Sequence, residues 1–213
     1  MFEIDSQMEI GGSLQDFPQD VIKNEPMFFN VNLDFAWKNG GEITRNFINM
    51  VYESNKPIDN SFVVIDTRTH MLMPGWYPCI PGWHHDDVPR FGLANQPDYL
   101  FPEYRSKHVM ALANGDICPT QFAIGKINMP SVPVGEKYYK HWHPIIENSD
   151  LEKINAPSNK LIWFDDRTFH QGTKAIKSGW RWFGRLSYET GRTPTNEIRR
   201  QVQVYLEDPM EGW

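Results

Sequence analysis

From Ser61 onward the chain breaks into short runs rich in β-branched and aromatic residues, separated by Gly, Pro and Asn. They are "SFVVIDTRTHML", "KHVMALAN", "PTQFAIGKINM", "KLIWFDD", "RTFHQGTKA", "GWRWFGRLSYET" and "RRQVQVYLED". Many short strands with frequent turn residues can bury their apolar faces only in packed antiparallel sheets. Upstream, "PMFFNVNLDFAW" alternates Phe29, Val31, Leu33, Phe35 and Trp37 and reads as one more strand. "GEITRNFINMVYES" places Ile43, Phe47, Met50 and Val51 at helical spacing. The expectation is a mostly β chain, a sandwich or jelly-roll (cupin-like) barrel with a few flanking helices. Its 213 residues suit one core, and no repeat or composition break divides them. One domain over 1–213 is therefore expected, with a strand and helix from about the first 60 residues packed on the barrel. Ser178-Gly179, between two strand-like runs, signals a hairpin. The stretch from Pro74 to Pro89 reads as irregular.

The formal charge of −6 gives no overall basic surface and argues against a protein whose main partner is nucleic acid. A local cluster, Arg192, Arg199 and Arg200, leaves phosphate contact open. Cys79 and Cys118 are the two cysteines and match no paired-cysteine metal or redox motif, so a reducing compartment is expected. The N-terminus lacks the basic flank and apolar run of a secretion signal, and no apolar window approaches a membrane span. A cytoplasmic location and a small-molecule partner follow as expectations.

Within the irregular stretch lies "CIPGWHHDDVPR", two histidines beside two aspartates. On extended backbone, residues i and i+2 share a face. His84 with Asp86, or His85 with Asp87, can thus offer an imidazole and a carboxylate to one point. A third imidazole, His170, precedes the Ser178-Gly179 turn, and Arg181, Phe183, Arg185 and Ser187 alternate along the strand after it. If a hairpin there is centred near Lys177-Ser178, Arg185 lies roughly opposite His170, and Arg181 is about 13 Å further along the strand. Inward arginines require an anion, and a guanidinium fork suits a carboxylate. Two His and one carboxylate with open positions form the facial triad of non-haem Fe(II) oxygenases.

"GWHHD" (82–86) and "WFDDRTFHQGTKAIKSGWR" (163–181) show the order W-H-x-D, a distal H-x-G, then an Arg eleven residues later. In this the chain resembles the Fe(II)/2-oxoglutarate-dependent dioxygenases, and looks closest to their phytanoyl-CoA hydroxylase-like branch. The resemblance implies a double-stranded β-helix fold, Fe(II) held by His84, Asp86 and His170, and 2-oxoglutarate and O2 as co-substrates. Arg181 would hold the distal carboxylate of 2-oxoglutarate. The doubled "HHDD" leaves His85/Asp87 as a second register, although the Trp before His84 matches the first. "RLS" offers Arg185 with Ser187 as another 2-oxoglutarate site. The chain is short for that branch, so nothing about a CoA thioester carries over. The presence of Asp86 implies hydroxylation or a related oxidation of a C–H bond, because halogenating relatives lack that carboxylate. The acidic net charge and small size point towards a small polar substrate, with a nucleobase or an amino-acid side chain in a polymer left open.

"GEKYYKHWHPIIE" supplies a rival. Gly135, His141, His143 and Glu147 resemble the first metal motif of cupins, and His170 could complete it. The glycine expected after the Glu is absent, Ile154 standing near that place. The same segment also reads as a turn of amphipathic helix. A non-enzymatic jelly-roll binding module is the third alternative. His70 and His108 read as core or surface histidines, and Trp163, Trp180 and Trp182 as packing groups.

Overall fold

A computed structural model describes residues 1–58, 63–91, 96–100, 102–133 and 135–206. The strands are β1 (Phe2–Ser6), β2 (Met8–Ser13), β3 (Met27–Phe29), β4 (Val64–Leu72), β5 (Arg90–Phe91), β6 (Gln96–Pro97), β7 (Lys107–Ala113), β8 (Thr120–Met129), β9 (Glu152–Asn155), β10 (Lys160–Asp165), β11 (Phe169–Gly172), β12 (Gly179–Tyr188) and β13 (Glu197–Arg199). The helices are α1 (Gln19–Asn24), α2 (Leu33–Asn39), α3 (Glu42–Glu53) and α4 (Tyr138–Glu147). The chain is mostly β, and every strand pair is antiparallel.

Two sheets matter for the site. The larger has the order β2-β10-β7-β12-β4; the smaller runs β1-β8-β11, with β9 also on β8. Period-2 alternation divides the larger sheet cleanly. Ile65, Val109, Ala111, Leu161, Trp163, Trp182 and Leu186 pack with Ile22, Ile43, Phe47 and Val51 of the helices. The intervening residues, among them Met110, Ile162 and Phe164, meet Phe122 of the smaller sheet. Trp182 is fully buried against Phe47, ring centroids 5.7 Å apart, and its indole lies over Gly184, where a Cβ would stand 2.1 Å from the ring. The tryptophans at 163 and 182 are packing groups, as the sequence suggested. The helix over 42–53 forms as expected, buried along Ile43, Phe47, Ile48 and Val51. Its N-terminus is satisfied from a distance: buried Glu25 accepts from the N–H groups of Gly41, Ile43 and Thr44.

Three expectations need correction. The strand over 26–37 is a three-residue strand followed by helix α2. Asn30 turns left-handed (φ 52°), and Asn32 caps the helix by accepting from the Phe35 N–H at 2.8 Å. The strand over 199–208 reduces to its first residue, at the end of β13, plus a single bridge between Tyr77 and Tyr205; residues 207–208 lie outside the described ones, as do the first two of "SFVVIDTRTHML". The Ser178-Gly179 hairpin does not form. β11 pairs with β8, and β12 with β4 and β7, so residues 173–178 cross from one sheet to the other. Their backbone groups bond to other loops: Ile176 N–H donates to Ile117 O, and Ala175 N–H to Trp76 O, both at 2.8 Å. Strands β1 and β2 had no clear sequence signal, yet one joins each main sheet. No helix among the described residues is long and apolar enough to cross a membrane.

Candidate metal centre and cavity

The residues between β4 and β5 are irregular, as expected, but one rung of sheet holds them in place. His84 and His170 exchange both backbone hydrogen bonds, each 3.1 Å, so the segment pairs with the open edge of β11. Alternation along β11 turns His170 toward the larger sheet and Phe169 toward α4. Fully buried Trp83 anchors the segment on α4. Its backbone N–H donates to His143 Nδ1 (3.2 Å), and its Nε1–H donates to Glu147 (2.6 Å).

This pairing brings His84, Asp86 and His170 together, one ligand atom from each lying within 4.8 Å of the others. Among the described residues no other such group forms. The His84 Nδ1–H donates to Gly82 O (2.8 Å) and the His170 Nδ1–H to Thr168 O (2.9 Å). Each imidazole is oriented by a carbonyl two residues back, so Nε2 is the atom that each would offer to a metal. His170 Nε2 then faces Asp86 Oδ2 at 3.0 Å. Adjacent ligands of an octahedral ion with bonds of about 2.1 Å stand about 3 Å apart, so this spacing fits a shared cation. Burial, and the charge of His170 beside it, lower the His84 pKa to about 4, keeping the neutral form that a metal requires. Burial disfavours ionised Asp86, but Arg185 and His170 outweigh it and hold the carboxyl well below its usual range.

The second register diverges. His85 stacks on Phe169 (centroids 4.0 Å, 30°) and bonds Tyr99 OH through Nδ1 (2.9 Å), inside an aromatic box with Tyr139 and Trp142. Asp87, left-handed at φ 50°, turns to Arg192 at 3.3 Å. The cupin-like grouping is not assembled, because His141, His143 and Glu147 lie on α4, where positions i and i+2 point apart. His141 is exposed beside Glu136, while His143 and Glu147 support Trp83.

A cavity of about 690 Å³ opens between the sheets beside the triad, within the range of small-molecule sites. Asp66, Arg68 and His70 of β4, with Arg181, Phe183 and Arg185 of β12, form one wall; Met110, Phe164, Thr120 and Gly172 complete much of the rest. Arg181 is 2 % exposed. It donates to Thr120 Oγ1 at 3.1 Å, its Nε has no partner, and the other groups acting on it are two thiols and the like-charged Arg68. Thr120 was not singled out from sequence; only the pairing of β11 with β8 brings the start of β8 under β12. Arg185 does approach His170, across the sheets rather than by strand pairing, since both meet Asp86 Oδ2. Arg185 also contacts Asp66 (3.3 Å) and Asp87 (3.8 Å), and Arg192 bridges the same two aspartates. Ser187 lies outside the cavity lining, hydrogen-bonded to His108 Nδ1 at 2.8 Å. His70 is on the cavity wall, its Nε2 on Gln203 O, and burial with the nearby Arg181 charge lowers its pKa to about 3. Of the arginine cluster considered for phosphate, Arg192 is committed to aspartates and Arg199 donates to Phe28 O over the Phe29 ring.

No protein-family model and no curated protein sequence matches the chain. Among solved structures it is similar to HygX from Streptomyces hygroscopicus with iron bound, at TM-score 0.49 and 7 % identity over 87 % of this chain and 83 % of that one. HygX with nickel and 2-oxoglutarate bound gives TM-score 0.48 and 8 % identity over the same shares. EvdO2 from Micromonospora carbonacea var. aurantiaca complexed with 2-oxoglutarate gives TM-score 0.35 and 10 % identity over 67 % of this chain and 58 % of that one.

Proposed function

We propose that the protein is a non-haem Fe(II)- and 2-oxoglutarate-dependent oxygenase, one domain built on a double-stranded β-helix. One observation carries this reading. A His-Asp-His group with a facial donor set shares a cavity with a buried arginine for which no described residue supplies an anion. His84, Asp86 and His170 would hold Fe(II), and the donor chemistry fits it. Arg181, with the Thr120 hydroxyl, would hold the distal carboxylate of 2-oxoglutarate by a charge-assisted fork. Bound iron, with 2-oxoglutarate and O2, supplies oxidation of a substrate C–H bond coupled to conversion of 2-oxoglutarate to succinate and CO2.

The chain's own residues do the rest. The Gly82 and Thr168 carbonyls fix both imidazole tautomers. Arg185 keeps Asp86 ionised. Met110, Phe164 and Phe183 give the cavity an apolar wall that restricts water. Arg185 serves Asp86 in this reading, and Arg181 rather than Arg185 with Ser187 serves the co-substrate.

The test is anaerobic addition of Fe(II) and then 2-oxoglutarate, watching the weak visible charge-transfer band of the chelate. The band should appear in wild type and vanish in His84→Ala. In Arg181→Gln it should require a 2-oxoglutarate concentration higher by more than about tenfold. Metal binding without a band would overturn the reading in favour of a binding module.

A further inference from the structure

Arg68 stands on the same inward face of β4 as Asp66 and His70, and lines the cavity. In register it is opposite Phe183, midway between the His70–Arg181 rung and the Asp66–Arg185 rung. It is half-buried, and its guanidinium makes no ion pair or hydrogen bond with a described residue. Asp66, the nearest acid along the strand, is taken by Arg185 and Arg192. Two like charges, Arg181 and Arg199, stand near enough to Arg68 to feel it. Uncompensated positive charge gathered in a concave wall concentrates anions.

Arg181 and Thr120 already supply a fork and a hydroxyl for one carboxylate at the buried end of this row. We infer that Arg68 binds an anionic group, carboxylate or phosphoryl, of the prime substrate, so that the protein oxidises a small anionic molecule other than its co-substrate. The inference rests on the oxygenase reading above. Successive inward positions on a strand lie about 6.6 Å apart, so Arg68 is one step from the rung whose Arg185 contacts Asp86. A molecule held there by its anionic end reaches the triad with a body of only a few carbon atoms. Arg68 is half-buried whereas Arg181 is almost fully enclosed, so Arg68 is the more accessible of the two to an incoming molecule.

The experiment uses the full chain loaded with Zn(II), which is inert to O2, and saturating 2-oxoglutarate, so that Arg181 is occupied. Trifluoroacetate is followed by fluorine NMR and inorganic phosphate by phosphorus NMR, with trifluoroacetamide as the neutral control. One of the two anions should broaden with wild type, and which one does so separates carboxylate from phosphoryl recognition; the neutral probe should not. Binding should weaken by about tenfold or more in Arg68→Gln and recover in part in Arg68→Lys. The affinity for 2-oxoglutarate, titrated calorimetrically, should fall in Arg181→Gln and hold within about twofold in Arg68→Gln. Loss of 2-oxoglutarate affinity in Arg68→Gln, or anion binding unchanged by that substitution, overturns the inference and leaves the oxygenase reading standing. Failure of metal-loaded wild type to bind 2-oxoglutarate overturns the reading itself.

Discussion

Arg181→Met separates a ligand-binding arginine from a structural one, because the two roles give opposite signs of stability change. In the ligand-free protein Arg181 is 2 % exposed, has one hydrogen bond to Thr120, an unpartnered Nε and a like-charged neighbour. An unsatisfied buried N–H costs about 1–3 kcal/mol, whereas the Thr120 hydrogen bond contributes about 0.5–1.5 kcal/mol. Methionine fills similar space without donors, so the ligand-free variant should be more stable by about 1 kcal/mol. For 213 residues that raises the unfolding midpoint by about 2–4 °C. With Zn(II), and 2-oxoglutarate at a hundred times its Kd, wild type should gain about 2.7 kcal/mol, or about 5–10 °C. Removing the fork from a buried carboxylate costs about 2–5 kcal/mol of affinity, which leaves the variant less than about 1 kcal/mol of that gain. Thermal unfolding of both proteins, with and without ligand, in buffer free of phosphate and sulfate measures all four states. A ligand-free variant less stable than wild type, or one that 2-oxoglutarate still stabilises fully, would refute the assignment.

His141→Ala should leave metal affinity unchanged in equilibrium dialysis, since its ring is exposed on α4; His85→Phe should likewise retain metal, because His85 belongs to the aromatic box. Gly184→Ala should destabilise by roughly 1–3 kcal/mol in urea titration by forcing the Trp182 indole against Phe47, with metal affinity preserved. For Asp66, burial raises the pKa, but Arg185 and Arg192 outweigh it and the native value lies below 3.8. Its stabilisation is therefore fully present above about pH 4 and lost as pH falls through the native value. Asp66→Asn should be less stable at pH 7 and show a shallower acid limb in pH-resolved unfolding; a limb as steep as wild type would contradict that.

The sequence by itself determined the strands that carry strong β patterning and the short-range pairing of chemistry along them. The alternation of Arg181, Phe183, Arg185 and Ser187 shares a face because strand period is a local property, and His84 with Asp86 follows from the same rule over two residues. Helix α3 was equally legible from its own spacing. What depends on contacts distant in the chain was not. Asn32 as a helix cap competed with an apolar alternation that looked extended, and local pattern could not decide between them. Ser178-Gly179 carried a valid turn signal, but sheet membership is decided by which faces are buried, and the chain crosses instead of folding back. That His84, and not His85, stands beside Asp86 and His170 came from one backbone rung with His170 and from the aromatic box that encloses His85. The retirement of His141 and His143 came from a helix that turns them apart, and the commitment of Arg185 to three aspartates left Arg181 beside Thr120, some sixty residues away in sequence. Burial and partner are properties of the packed sheets, so only the tertiary structure could distribute these charges.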